Sequence, residues 1–150
     1  MPGSPDMEFL RQEYFNLQTT VESFDEKALT IKAWSVTLSM AGIGAAFVQE
    51  EAVLLLLSAG ASLLFWLIEG SWKAFQQANY RRLRAIEDFM RGKGPEHFSS
   101  PDITGSWSVG WREQSLLRIL FWNHVFLPHA VVVVAGVAFW LANLRWGFLP

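Results

Sequence analysis

Cysteine is absent from this 150-residue chain. That excludes disulfides, thiol catalysis and cysteine-ligated zinc. Charge is scarce as well: 17% of residues are charged and 51% hydrophobic, where a soluble domain carries about 25% charged residues. The net charge of −2 provides no basic field for nucleic acid, and none is expected as a partner. Walker loop, GxGxxG, Ser-His-Asp order and glycosylation sequon are all missing, and "GKG" at 92–94 is not a phosphate loop. A basic n-region is missing too. Asp6, Glu8, Glu13, Glu22, Asp25 and Glu26 precede the first apolar run, so this run, from Leu29, reads as an uncleaved insertion signal.

The apolar residues come in long blocks, which is the signature of membrane spans. Residues 7–41 contain neither Pro nor Gly. Leu10, Tyr14, Leu17, Val21, Phe24, Ala28 and Ile31 recur at 4-3 spacing, an apolar seam of coiled-coil type. The seam continues as Ser35, Leu38, Gly42 and Ala45, predicting one helix over 7–47 whose second half spans the bilayer. A second span, "AVLLLLSAGASLLFWLIE" (52–69), extends as a helix to about residue 91, where "RGKGP" ends it. Residues 92–111, with four Gly, two Pro and four Ser, read as a loop, with Trp107 and Trp111 at the membrane surface. The third apolar run, 116–144, is longer than one span needs. Pro128 is expected to kink it, giving an interfacial part (112–127) and then the third span.

Between the first two runs lies "VQEEAV" (48–53). One helix through 29–69 would place Glu50 and Glu51 at the bilayer centre, at roughly 2.5–3.5 kcal/mol each. A bend places both in water. The basic residues agree with a bend. None lies between 33 and 72; Arg11, Lys27 and Lys32 flank one end, and Lys73, Arg81, Arg82 and Arg84 the other. The positive-inside rule then sets the N-terminus in the cytoplasm and "QEE" outside. The third span ends outside at Arg145, against the rule, but eight basic residues over 70–118 outweigh it. The expected fold is therefore all-α: one membrane domain with three transmembrane helices. The first two form a long antiparallel hairpin whose arms extend into the cytoplasm.

A hairpin centred near 50.5 pairs residues whose numbers sum to about 101. "SMAGI" (39–43) then meets "SAGAS" (58–62), small against small, as close packing in lipid requires. This marks Ser35, Ser39, Gly42, Ser58, Gly60 and Ser62 as helix-packing residues. Lys32 meets Glu69 near the inner boundary, either as a gate or proton site or as a snorkelling pair that fixes register. The arms are electrically opposite: residues 6–27 carry six acids and two bases, and residues 70–93 six bases and two acids. Arg81, Arg82 and Arg84 of "YRRLR" either contact anionic lipid or a partner or pair with Glu13, Glu22 or Asp25. His124 and His129 are five apart around Pro128, a poor match to the spacing of four in helical metal sites. No metal, catalytic residue or cofactor is expected. The Trp residues outside the loop fit an aromatic belt.

Over residues 7–92 this layout resembles, in topology, the small bacterial two-span effector modules of anti-phage systems, the SLATT-type proteins. The third span departs from that pattern, and no residues carry over. The resemblance implies self-association into a pore. The leading expectation from the residues is a non-enzymatic scaffold or interaction module of the bacterial inner membrane. Its partners would be the bilayer, a second copy, or another membrane or cytoplasmic protein.

Overall fold

The computed structural model describes residues 7–94, 98 and 102–149. It is all-helical, with five helices among those residues: α1 (Met7–Gln49), α2 (Val53–Met90), α3 (Ile103–Glu113), α4 (Leu116–Leu120) and α5 (Asn123–Trp146). Three of them, α1, α2 and α5, are long and apolar enough to cross a membrane.

The helix ends follow local chemistry. α1 stops with Glu50 in the left-handed region (φ 58) and the Glu51 N–H donating to Ala46 O at 3.0 Å. This is the Schellman closure, made here without glycine. α2 ends the same way with Gly92 (φ 71), whose successor Lys93 donates to Asp88 O at 2.8 Å. α5 ends on Gly147 (φ 62), which donates to Asn143 O at 2.7 Å.

The chain divides into two compact units. The first comprises Met1–Lys27 and Trp72–Ser115. Its core is Leu17, Val21, Leu83 and Ile86, with Tyr14, Tyr80 and Phe98 packed around them. α3 adds an aromatic stack. Trp107 and Trp111, four residues apart on one helical face, lie parallel to the Phe75 ring at 6.0 and 4.8 Å. A Cβ on Gly110 would sit 2.6 Å from Ala78 O, so only glycine allows this approach to α2. The loop expected over 92–111 is thus corrected. Its second half is helix, because stacking of two indoles on Phe75 overrides the weak helix propensity of a Gly- and Ser-rich segment. Residues 95–97 and 99–101 of that loop lie outside the described residues.

The second unit comprises Ala28–Ser71 and Leu116–Pro150. Ile43, Ala46, Leu55, Val132 and Leu149 form its apolar core. Gly42 lies under the Ser58 side chain, and a Cβ on Gly136 would sit 2.9 Å from Leu55 O. The third apolar run is interrupted at Phe121–Trp122, and Pro128, where a kink is expected, lies inside α5. Pro128 is the sixth residue of α5, so it removes one ladder bond near the helix start. At the break, the Leu120 carbonyl leaves the helix ladder and accepts instead from Trp66 Nε1–H at 2.9 Å.

In this unit α1 turns a slightly different face inward than the 4-3 seam predicts. Leu38 is 47% exposed, while Ser39, Ile43 and Ala46 are buried. A straight helix drifts about 20° per heptad from a 3.5 repeat. Four heptads after Leu10 the drift is about 80°, close to the 100° of one residue. The inward face has advanced from 38, 42 and 45 to 39, 43 and 46.

Candidate functional site

Polar side chains are buried inside the apolar second unit, and they are joined. Glu69 of α2 is fully buried, His129 of α5 is 1% exposed, and Ser35 of α1 is fully buried. One carboxylate oxygen, Glu69 Oε2, lies 2.9 Å from His129 Nε2. The other, Oε1, lies 3.2 Å from Lys32 Nζ. His129 Nδ1 is 2.8 Å from Ser35 Oγ, and Ser62 Oγ donates to the His129 carbonyl at 3.3 Å. α1, α2 and α5 each supply part of this cluster.

Electrostatics requires such an arrangement. An isolated buried carboxylate costs several kcal/mol even after relaxation. Here an ammonium and an imidazole N–H compensate Glu69 on separate oxygens. In the tautomer with its hydrogen on Nε2, the His129 ring donates to Glu69 and accepts from the Ser35 hydroxyl at Nδ1. With a neutral imidazole, the cluster of Lys32, Glu69 and His129 carries no net charge. Lys32, with a side chain 24% exposed, is the member that reaches the surface of the unit. Its approach to Oε1 has the distance of an ion pair, but no donor is aligned for a hydrogen bond with that oxygen.

Ser35, His129 and Glu69 are connected in the order of a hydrolase triad. The surroundings do not match one. A triad serine must reach a substrate carbonyl beside oxyanion donors. Ser35 is fully buried, and its own N–H, in the middle of α1, is committed to the helix.

The residues singled out from sequence separate into three groups. Lys32 lies at ion-pair distance from Glu69. Ser58 folds over Gly42 and donates to Leu54 O at 2.8 Å. Ser39 is buried, and its hydroxyl finds no hydrogen-bond partner among the described residues. Gly60 behaves differently: a Cβ there would meet nothing within 4 Å. The close glycine contact with α2 comes instead from Gly136 of α5.

The arginines lie in the first unit. Arg82 is buried and bidentate to Glu13 at 2.7 and 3.0 Å, with its guanidinium 4.6 Å from the Phe98 ring centre. Arg81 pairs with Glu113 at 2.6 and 2.8 Å. Lys73 pairs with Asp25. Arg84 is exposed, without an ion pair among the described residues. It borders a shallow cleft that also holds Asp88 and Glu113, which weakens it as an anion site. Tyr14 donates to Glu87 at 3.1 Å, and this bond raises its pKa above the usual tyrosine value. Burial does the same for Tyr80.

The two histidines of "NHVFLPH" part company. His124 is exposed beside the Trp122 ring, and only His129 turns inward. Sequence reasoning missed its contact with Glu69, although a signal exists. Val125, His129, Val132, Gly136 and Asn143 are the buried positions of α5, and their 4-3-4-7 spacing places His129 on the inward stripe.

Compared with protein-family models, curated proteins and solved structures, the chain matches none.

Proposed function

We propose that this chain is a three-span protein of the bacterial inner membrane, with its N-terminus in the cytoplasm. α1 and α2 form an antiparallel hairpin whose arms extend into the cytoplasm, where opposite charges join them. The protein acts as a non-enzymatic scaffold or interaction module, recruiting another membrane or cytoplasmic protein. The lack of basic residues between positions 33 and 72 supports the orientation.

The observation that favours a scaffold over a self-assembled pore is the direction of the serines. A pore built from several copies needs a polar stripe on the outside of each copy. Ser35, Ser39, Ser58 and Ser62 are buried within the chain. Outward instead stand Trp34, Val36, Leu38, Met40, Leu57 and Leu64, a surface suited to lipid. Of the hydroxyl residues on this part of α1, Thr37 is exposed, and a single threonine makes no stripe. Purified protein reconstituted into liposomes should therefore leave ion flux at the level of empty liposomes. Flux rising with protein density would replace the scaffold with the pore.

A further inference from the structure

We propose that the outer end of the cytoplasmic arms carries a self-complementary docking surface, through which the chain pairs with a second copy about a twofold axis. The surface is a groove between the first turns of α1 and the last turns of α2, lined by Arg11, Tyr14, Phe15, Glu87, Met90 and Arg91. The inference deepens the scaffold reading and rests on its placement of the arms outside the membrane.

Apolar side chains stand exposed here where lipid does not account for them. Phe15 of α1 is 58% exposed and Met90 of α2 46%, in a groove of about 330 Å3. Phe15 lies fourteen residues before Leu29, the start of the first apolar run, or about 21 Å along a helix. The headgroup layer is only about 5–8 Å deep on each side of the hydrocarbon. Met7, one turn before Arg11 on the same helical face, is exposed as well. Aromatic rings, methionines and arginines are the groups that protein interfaces favour.

Charge identifies the occupant. Around the apolar centre lie two arginines and two glutamates, in loose pairs within each helix: Arg11 with Glu8 at 3.9 Å and Arg91 with Glu87 at 3.5 Å. Arg81 and Arg82 hold their carboxylates at 2.6–3.0 Å. Exposed pairs contribute about 0–1 kcal/mol, so exchanging their partners costs little. A partner of one sign would be attracted by two of these residues and repelled by the other two. A second copy meets no such conflict. Both copies share one orientation in the membrane, so the twofold axis runs along the arms, and α1 of each copy faces α2 of the other. The Tyr14–Glu87 bond sets the level of the two helices: Arg11 lies level with Met90, within one turn of Glu87, and Glu8 lies within one turn of Arg91. Across the axis, Arg11 therefore meets the partner's Glu87, and Glu8 the partner's Arg91. Each charge finds its opposite, and Phe15 and Met90 of the two copies close over the centre.

The test is the mass of the full chain in mild detergent, read by light scattering with the detergent subtracted. Wild type should have twice the mass of one chain. Two charge-reversed variants separate this surface from other contacts: Arg11→Glu with Arg91→Glu, and Glu8→Arg with Glu87→Arg. Each alone brings like charges together across the axis and should be monomeric. Mixed in equal amounts, the two should recover the dimer. Where either loses its helical circular dichroism, Phe15→Asp, at an exposed position, decides in its place: a monomer supports the groove and a dimer overturns it. A monomeric wild type overturns the proposal, whether or not another protein copurifies with it. So do folded reversed variants that each still pair alone, or that stay monomeric when mixed. Liposome flotation of the same protein reads the membrane placement separately, so loss of one reading is not mistaken for loss of the other.

Discussion

At the scale of the residue, the buried ion pairs carry the largest single effects. Arg82 and Glu13 are almost completely buried, with side chains 4% and 2% exposed. Removing one partner of such a pair leaves the other charged and unpaired, at about 3–5 kcal/mol. Arg82→Met should lower thermal stability by this much, and Glu13→Leu combined with Arg82→Met should recover most of it. Ser35 offers a second expectation. A fluorophosphonate probe of activated serines should leave the folded chain unlabelled, because no reagent reaches a fully buried hydroxyl; labelling lost in Ser35→Ala would make this chain a hydrolase. Tyr14 gives a pH dependence. Its pKa is raised by its bond to Glu87, so this contribution to stability is complete below the unfolded tyrosine value of about 10. It is lost as pH rises through the higher folded value. Stability should therefore fall more steeply above about pH 10 in wild type than in Tyr14→Phe. Of these residues, the Lys32–Glu69 contact was legible, because one number, the centre of the bend, sets every pairing between the first two helices. His129 was not, because no such relation ties the third span to them.

At the scale of the element, the glycines separate close packing from open surface. Gly42 lies against Ser58, whereas Gly60 faces empty space. Gly42→Leu should cost about 1–3 kcal/mol through overpacking. Gly60→Leu should be neutral or stabilising by up to about 1 kcal/mol, since leucine has the better helix propensity. Thermal unfolding in detergent ranks the two; a greater loss at Gly60 would contradict the packing of α1 on α2. The lengths of α1 and α2 were readable from periodicity and from the "RGKGP" stop. Two features were not. α3 is written in Gly and Ser, which argue for loop, and it exists because Trp107 and Trp111 find Phe75. The α4–α5 break avoids the proline that marks it in sequence, and the Leu120 carbonyl it frees is taken by Trp66, a residue more than fifty positions away. Ala46, on the flank of the sequence seam, is fully buried, the result of helical drift accumulated over four heptads.

At the scale of the whole molecule, the pattern of exposed and buried residues in the second unit is that of a protein in lipid. Leu, Val, Phe and Trp face outward, while a carboxylate, a histidine and four serines are enclosed. In water this arrangement would leave large apolar area exposed and bury charge. In lipid the outward face costs nothing, and Glu69, His129 and Ser35 are joined to one another inside. The topology proposed for it rests on the basic residues and on the two acids of the bend, and it can be read directly. In this cysteine-free chain, single cysteines at Glu50, Arg84 and Pro150 report the side of the membrane at three points of the sequence. Arg84 serves better than Arg82 because its side chain is exposed, so silence there reports the compartment and not burial. The measurement is labelling of intact cells with a membrane-impermeant thiol reagent, repeated after permeabilisation. Glu50→Cys and Pro150→Cys should react in intact cells, and Arg84→Cys only after permeabilisation. Reaction of Arg84→Cys in intact cells, with the other two protected, would contradict the account.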